Sequence, residues 1–202
     1  MSEPTREVEI KARVDDVDEA RRNIESAGAV IVFEGSLRDR VYDTPARTLA
    51  AQGLVLRIRT YRSHRGAVHA HLDWKGPTTK ENGFKVREEL TTGITDPDAL
   101  ASMLSRIGFE VVGEIDREIA QYEMAGTDAS GRSVAVIRFE RYPRMDALVE
   151  VEGRESQIER AVAGLKIPRD RFSADRLADF VQSFEKRTGQ SAAICDSALK
   201  SE

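Results

Sequence analysis

An α+β fold, with an antiparallel sheet closed into a barrel or tunnel and helices packed outside it, is what this sequence predicts. Three observations lead there. Stretch after stretch alternates apolar residues with fully charged ones at a period of two, the mark of strands with two unlike faces. Turn residues separate these stretches at short intervals, as antiparallel neighbours require. Segments with helical spacing fall between and after runs of strands, which segregates helices from the sheet.

The first strand spans Glu7 to Val14: Glu7, Glu9, Lys11 and Arg13 share one face, and Val8, Ile10, Ala12 and Val14 the other. Asp15 to Ala27 reads as a helix, acidic at its start and stopped by Gly28. Val30 to Asp43 reads as strand, a bend at Gly35, and strand again. Thr44 and Pro45 open a short turn that ends near Gly53. Leu54 to Tyr61 sets Arg57, Arg59 and Tyr61 against Leu56 and Ile58. Val68 to Lys75 sets His69, His71, Asp73 and Lys75 against Ala70, Leu72 and Trp74. A hairpin turn at Ser63 to Gly66 joins these two. Gly76 and Pro77 end the second, and a polar loop runs to Gly83. Phe84 to Thr92 is a strand with Lys85, Arg87 and Glu89 on one side. Asp96 to Arg106 is a helix with Pro97 in its first turn and Gly108 as its stop. Strands follow at Phe109 to Met124 and Ser133 to Arg141, joined by a turn over Gly126 to Gly131, and at Ala147 to Glu152. Ser156 to Leu165 and Ser173 to Thr188 close the chain as helices.

A length of 202 residues suits one domain, expected over 1–190, with a small-residue tail at 191–202. The net charge of −4 argues against a general nucleic-acid binder, which carries a basic excess. A single cysteine, Cys195, forms no internal disulfide and points to a reducing compartment. The polar, acidic start lacks the apolar core of a signal peptide, and no run reaches the length of a membrane span. The expected location is the cytoplasm, with no membrane partner. A homodimer is compatible with such a barrel, although no surface stripe argues for one.

For any single strand, a charged face is most simply a face turned to water. The set resists that reading. Solvent faces favour Thr, Ser and Gln with scattered charges, whereas here ionised residues of both signs recur on neighbouring positions. In a closed sheet the apolar faces would point outward under the helices and the charged faces would line a lumen. Confined charges need counter-charges or a ligand. A polyanion with a divalent metal satisfies both signs: Arg and Lys donate to phosphate oxygens, and Glu carboxylates suit Mg²⁺ or Mn²⁺.

Six segments in order carry a resemblance. Glu7-Val8-Glu9-Ile10-Lys11 resembles the ExExK signature of the CYTH superfamily, the triphosphate tunnel metalloenzymes. Val41-Tyr42-Asp43-Thr44-Pro45 is similar to that family's YFDTP segment, and Leu56-Arg57-Ile58-Arg59 to its LRxR strand. Trp74-Lys75-Gly76-Pro77 resembles TxKGP, Arg87-Glu88-Glu89 resembles RxE, and Leu148-Val149-Glu150-Val151-Glu152 resembles the closing strand. The resemblance runs over about 5–155 and implies an eight-stranded antiparallel tunnel. It implies Glu7, Glu9, Glu150 and Glu152 as metal-site residues, and Lys11, Arg57, Arg59, Lys75 and Arg87 as the phosphate grip. Glu89 is implied as a supporting acid. Taken singly, each of these is as well explained by a solvated strand.

Four positions depart from the pattern. Thr91 stands where a second Glu is common, and Asp73 where Thr is common. Arg117 fits the first place of a basic pair, but Ile119 takes the second, so Arg138 on the next strand is the candidate for the missing charge. Glu140 stands where Asp is common. His69 and His71 share a face but have no third His or Cys beside them, and are expected at the tunnel mouth or as supports behind the lumen residues rather than on a metal.

The implied activity is metal-dependent phosphoryl transfer on inorganic triphosphate, thiamine triphosphate or ATP, with hydrolysis ranked above cyclisation because no adenine-reading residues stand out. Glu9, Glu89 or Glu140 could accept the proton. A class IV adenylate cyclase, which forms cyclic AMP and pyrophosphate, is the alternative. A non-catalytic polyphosphate or nucleotide sensor is a further one. A barrel for an apolar ligand needs an apolar lumen, which the charges deny.

Overall fold

The structure is a computed structural model and describes residues 4–126 and 134–199. The chain forms, in order, β1 (Thr5–Arg13), α1 (Val17–Ser26), β2 (Val30–Asp43), α2 (Thr48–Ala51), β3 (Val55–Ser63), β4 (Val68–Lys75), β5 (Thr79–Glu81) and β6 (Phe84–Ile94). It continues with α3 (Pro97–Arg106), β7 (Glu110–Ala125), β8 (Val134–Arg141), β9 (Leu148–Glu152), α4 (Glu155–Leu165), a 3₁₀ turn (Arg169–Arg171), α5 (Leu177–Thr188) and α6 (Asp196–Leu199).

The strands run in the order β1-β9-β8-β7-β2-β3-β4-β6, and β6 pairs back onto β1. All pairings are antiparallel, so eight strands close into the barrel that the alternation predicts, and closure leaves the wall without a free edge. The ninth strand, the short β5, adds to β6 within the stretch expected as a loop, pairing Thr79 with Val86 and Glu81 with Phe84.

The apolar positions of β1, β7, β8 and β9 point outward. Ile10, Ile137, Val149 and Val151 are fully buried there with Ile24 of α1 and Ile158 and Leu165 of α4. Each such side chain contributes roughly 1.5–3 kcal/mol on burial. Gly164 lets α4 lie close to α1: a Cβ there would stand 2.9 Å from the Ala27 Cβ. Asp16 and Asp96 cap α1 and α3 by accepting from the amides of Glu19 and Ala99. A smaller cluster of Tyr42, Ile58 and Leu104 packs α3 on the opposite side.

Three expectations change. The bend at Gly35 does not break β2, because Gly35 stays paired to both Ser63 and Ile119. Its φ of +154° and a Cβ direction that runs into the Arg62 carbonyl leave glycine as the residue that fits. The helix expected from Ser173 starts at Leu177, since the Ser173 backbone instead exchanges both hydrogen bonds with Lys11. Residues 192–199, placed by the sequence in a tail, are tied to the barrel. Ala193 pairs with Arg144, the Asp116 amide donates to the Ile194 carbonyl, and the Asp196 amide donates to Asp116. The small Ala193 side chain fits completely into this contact. Most of the turn expected over Gly126 to Gly131 lies outside the described residues.

Candidate functional site

The charged strand faces point inward and line a cavity of about 540 Å³. Every residue singled out from the sequence for a site lines it: Glu7, Glu9 and Lys11 from β1, Arg57 and Arg59 from β3, Lys75 from β4, and Arg87 and Glu89 from β6. Arg117 of β7, Arg138 and Glu140 of β8, and Glu150 and Glu152 of β9 complete that set. Register brings opposite signs together. Glu7 lies opposite Arg87, Lys11 opposite Glu150, Arg138 opposite Glu150, and Arg57 opposite Asp73.

The lumen has two regions. On the β2, β3 and β7 walls, three guanidiniums converge on one carboxylate. Arg59 donates to Asp39 at 2.7 and 2.9 Å, Arg57 at 3.2 Å and Arg117 at 3.1 Å. Arg57 also donates to Asp73 at 2.6 and 3.0 Å, and Arg117 to Glu140 at 2.8 Å. Burial alone would raise the Asp39 carboxyl, but Arg59, Arg57 and Arg117 hold it well below the usual carboxylate range. Burial likewise works against the Glu140 carboxylate, and Arg117, Lys11, Arg138 and the Tyr142 hydroxyl outweigh it, bringing its pKa to about 2. Forked arginine donors gathered on one small anion form a cradle suited to phosphate oxygens.

The second region lies on β1, β6 and β9 and mixes carboxylates with amines. Lys75 donates to Glu7 at 2.6 Å and to Glu89 at 3.2 Å, Lys85 to Glu9 at 2.5 Å, and Arg138 to Glu150 at 2.5 Å. Lys11 is ion-paired with Glu150. Despite burial, Lys11 and Lys85 hold the Glu9 carboxyl far below its ordinary value. Glu152 goes the other way: burial, then the charges of Glu7 and Glu9, raise its pKa. The second oxygen of Glu7 is buried without a hydrogen-bond partner.

An orphaned carboxylate oxygen and a carboxyl crowded by two others both call for a cation. The donor set fits a divalent ion of the Mg²⁺ or Mn²⁺ type, which takes oxygen ligands and keeps waters. As the side chains stand, no three His, Cys, Asp or Glu among the described residues converge on one point. Glu7 would offer such an ion its unpartnered oxygen while the other oxygen stays with Lys75.

Several lumen residues fell outside the site read from the sequence, among them Asp39 and Lys85. Asp39 sits where Leu37, Asp39 and Val41 alternate, and Lys85 shares a face with Arg87 and Glu89. The period-two pattern that found the others marks Lys85, whereas on β2 it points to Arg38 and Arg40 and hides Asp39. Arg87 donates twice to the Gly76 carbonyl and so also fixes the turn after Lys75. Asp43 turns away from the lumen chemistry and accepts from the amides of Thr44, Leu49 and Ala50, capping α2. Ile119 is buried and does not line the tunnel cavity, whereas Arg138 does.

A family model for the CYTH domain matches residues 5–152. This chain belongs to the CYTH domain family. The CYTH family includes adenylate cyclases and triphosphatases, enzymes that act on triphosphate-containing substrates. Solved structures of the same fold include a candidate adenylate cyclase from Vibrio parahaemolyticus. It has a TM-score of 0.70 and 23% identity, over 89% of this chain and 99% of that one. A protein from Pyrococcus horikoshii has a TM-score of 0.66 and 21% identity, over 88% and 98%. A candidate adenylyl cyclase from Hippeastrum, described as having a dominant triphosphatase activity, has a TM-score of 0.59 and 17% identity, over 91% and 96%. No curated protein matches the sequence. Among the described residues, no helix is long and apolar enough to cross a membrane.

Proposed function

We propose that this CYTH protein is a divalent-metal-dependent triphosphatase that holds its substrate inside the tunnel. The observation that carries this reading is the convergence of Arg57, Arg59 and Arg117 on the single carboxylate of Asp39, beside a separate carboxylate-rich region. One region suits phosphate oxygens and the other a cation, within one cavity.

In this reading Lys11, Arg57, Arg59, Lys75, Arg87, Arg117 and Arg138 bind and align the phosphates. Glu7, Glu9, Glu150 and Glu152 hold Mg²⁺ or Mn²⁺. When bound, the ion supplies neutralisation of charge on the phosphate oxygens. Glu89 is the proton acceptor. Its side chain is 16% exposed and water-reachable, against 4% for Glu9 and 2% for Glu140, which is locked between Arg117 and Tyr142. Water attacks the terminal phosphorus and gives its proton to Glu89. The bond from that phosphorus to the bridging oxygen breaks, and the diphosphate leaves with the electron pair. The Hippeastrum protein is an example of such activity on this fold.

Product analysis tests the proposal. The purified protein is incubated with Mg²⁺ or Mn²⁺ and, separately, inorganic triphosphate, thiamine triphosphate and ATP. Orthophosphate release supports hydrolysis. Cyclic AMP with pyrophosphate would replace it by cyclisation, in which a ribose 3′-hydroxyl attacks the α-phosphorus. Binding without turnover would make the protein a sensor.

A further inference from the structure

We infer that the aromatic cluster of Phe33, Tyr61, His69 and His71 at one end of the tunnel seats a flat heteroaromatic group attached to the triphosphate. The preferred substrate is then a triphosphate ester rather than free inorganic triphosphate. The inference rests on the triphosphate-tunnel reading and narrows it.

The rings form one connected group. Tyr61 and His69 are stacked, with centroids 4.5 Å apart and planes 9° apart. Phe33 meets Tyr61 edge-on at 5.4 Å and His69 at 6.0 Å, while His71 lies 5.8 Å from Tyr61 and 5.5 Å from His69. Aromatic residues make up only 6% of the chain, so such a gathering calls for a reason. The apolar core does not supply one, because these rings belong to neither buried cluster and His69 is exposed.

The group is continuous with the phosphate cradle. Tyr61 and His71 line the same cavity as Arg57 and Arg59. On β3, Arg57, Arg59 and Tyr61 occupy successive inward positions, and the Arg59 guanidinium carbon lies 6.0 Å from the centre of the Tyr61 ring. There is also room. Gly93 lies opposite His71 in the register of β4 and β6, and a Cβ placed there would meet nothing within 4 Å. Burial and the neighbouring His71 lower the His69 pKa, which keeps that ring neutral and able to stack. Among the described residues no third metal-ligating side chain joins the two histidines, which argues against a metal role.

The test compares dissociation constants, by calorimetry, and kcat/KM for inorganic triphosphate, ATP and thiamine triphosphate. Wild type should favour at least one ester over inorganic triphosphate by about tenfold or more, the scale of one base stacked on one aromatic ring. That ratio should fall about tenfold in Tyr61→Leu and persist in Tyr61→Phe. Gly93→Val, which fills the open space, should lower it as well. The exposed His69→Ala carries the same comparison if Tyr61→Leu does not fold. Which ester loses its advantage tells a nucleobase from a thiamine ring. Inorganic triphosphate binding as well as both esters, or a ratio unmoved in every ring variant, would overturn the inference while leaving the tunnel reading intact. Binding without turnover would end the triphosphatase reading, yet the ratio of dissociation constants would still decide this one. If none of the three binds, both readings fall.

Discussion

Asp73 and Thr91 face each other across β4 and β6, and the Thr91 hydroxyl donates to the Asp73 carboxylate at 3.0 Å. The resemblance to the CYTH pattern implies Thr at the first position and Glu at the second. Here the acid and the hydroxyl have exchanged strands while keeping the pair. Thr91 also comes within 3.3 Å of Glu89, and Asp73 accepts from Arg57. The two departures are therefore joined by a hydrogen bond in the wall, and a double-mutant cycle tests whether they compensate each other. Asp73→Thr and Thr91→Glu should each lower stability or turnover, and the double variant should recover much of the loss. A double-mutant cycle should give a coupling of roughly 0.5–3 kcal/mol. Simple additivity would show the exchange to be coincidental.

Asp39 is ion-paired with Arg57, Arg59 and Arg117 from a fully buried position. Asp39→Asn leaves three guanidiniums without that counter-charge and should cost on the order of 3–5 kcal/mol. Triphosphate supplies the missing anion. In thermal unfolding the variant should gain more from added triphosphate than wild type does, and equal gains would count against the cradle.

Much of this was legible in the sequence, for a physical reason. A barrel wall excludes water on one side and confines charge on the other, so most strands carry a period-two code that one sequence displays, while β2 and β7 interrupt it with register shifts. The turn glycines and the caps at Asp16 and Asp96 are equally local. What escaped is non-local. Nothing near Ser173 shows that its backbone pairs with Lys11, or that Ala193 pairs with Arg144. Asp39 was hidden because its same-face neighbours Leu37 and Val41 are apolar while the charged Arg38 and Arg40 alternate with it.

Burial, and then the charges of Glu7 and Glu9, raise the Glu152 pKa. Glu152→Gln removes a repelling charge and should raise the melting temperature of the metal-free protein at neutral pH. The same change should shrink the stabilisation given by added Mn²⁺ or Mg²⁺. Both signs are read in one thermal-shift titration, and a full metal response in the variant would remove Glu152 from the metal site.

Acid should weaken the cradle through Glu140. Its folded pKa, about 2, lies below the ordinary value of 4.5. Its contribution is therefore fully present above about pH 4.5 and is lost as pH falls towards about 2. Denaturant titrations across that window should show stability falling with pH, and Glu140→Gln should flatten that part of the profile. An unchanged profile would mean that the ion pair with Arg117 contributes nothing net.

The closing pairing of β1 with β9 joins residues 9–13 to 148–152, so the seam is made from opposite ends of the matched domain. During synthesis β1 leaves the ribosome first, yet the Lys11 half of it has no partner strand until residue 152 follows. Its other half can pair with β6 sooner. The proposed metal residues Glu7, Glu9, Glu150 and Glu152 sit on the two sides of this last seam. A partly folded chain therefore has no assembled ion site, and divalent ions can stabilise only the completed ring, which would draw late folding intermediates toward closure.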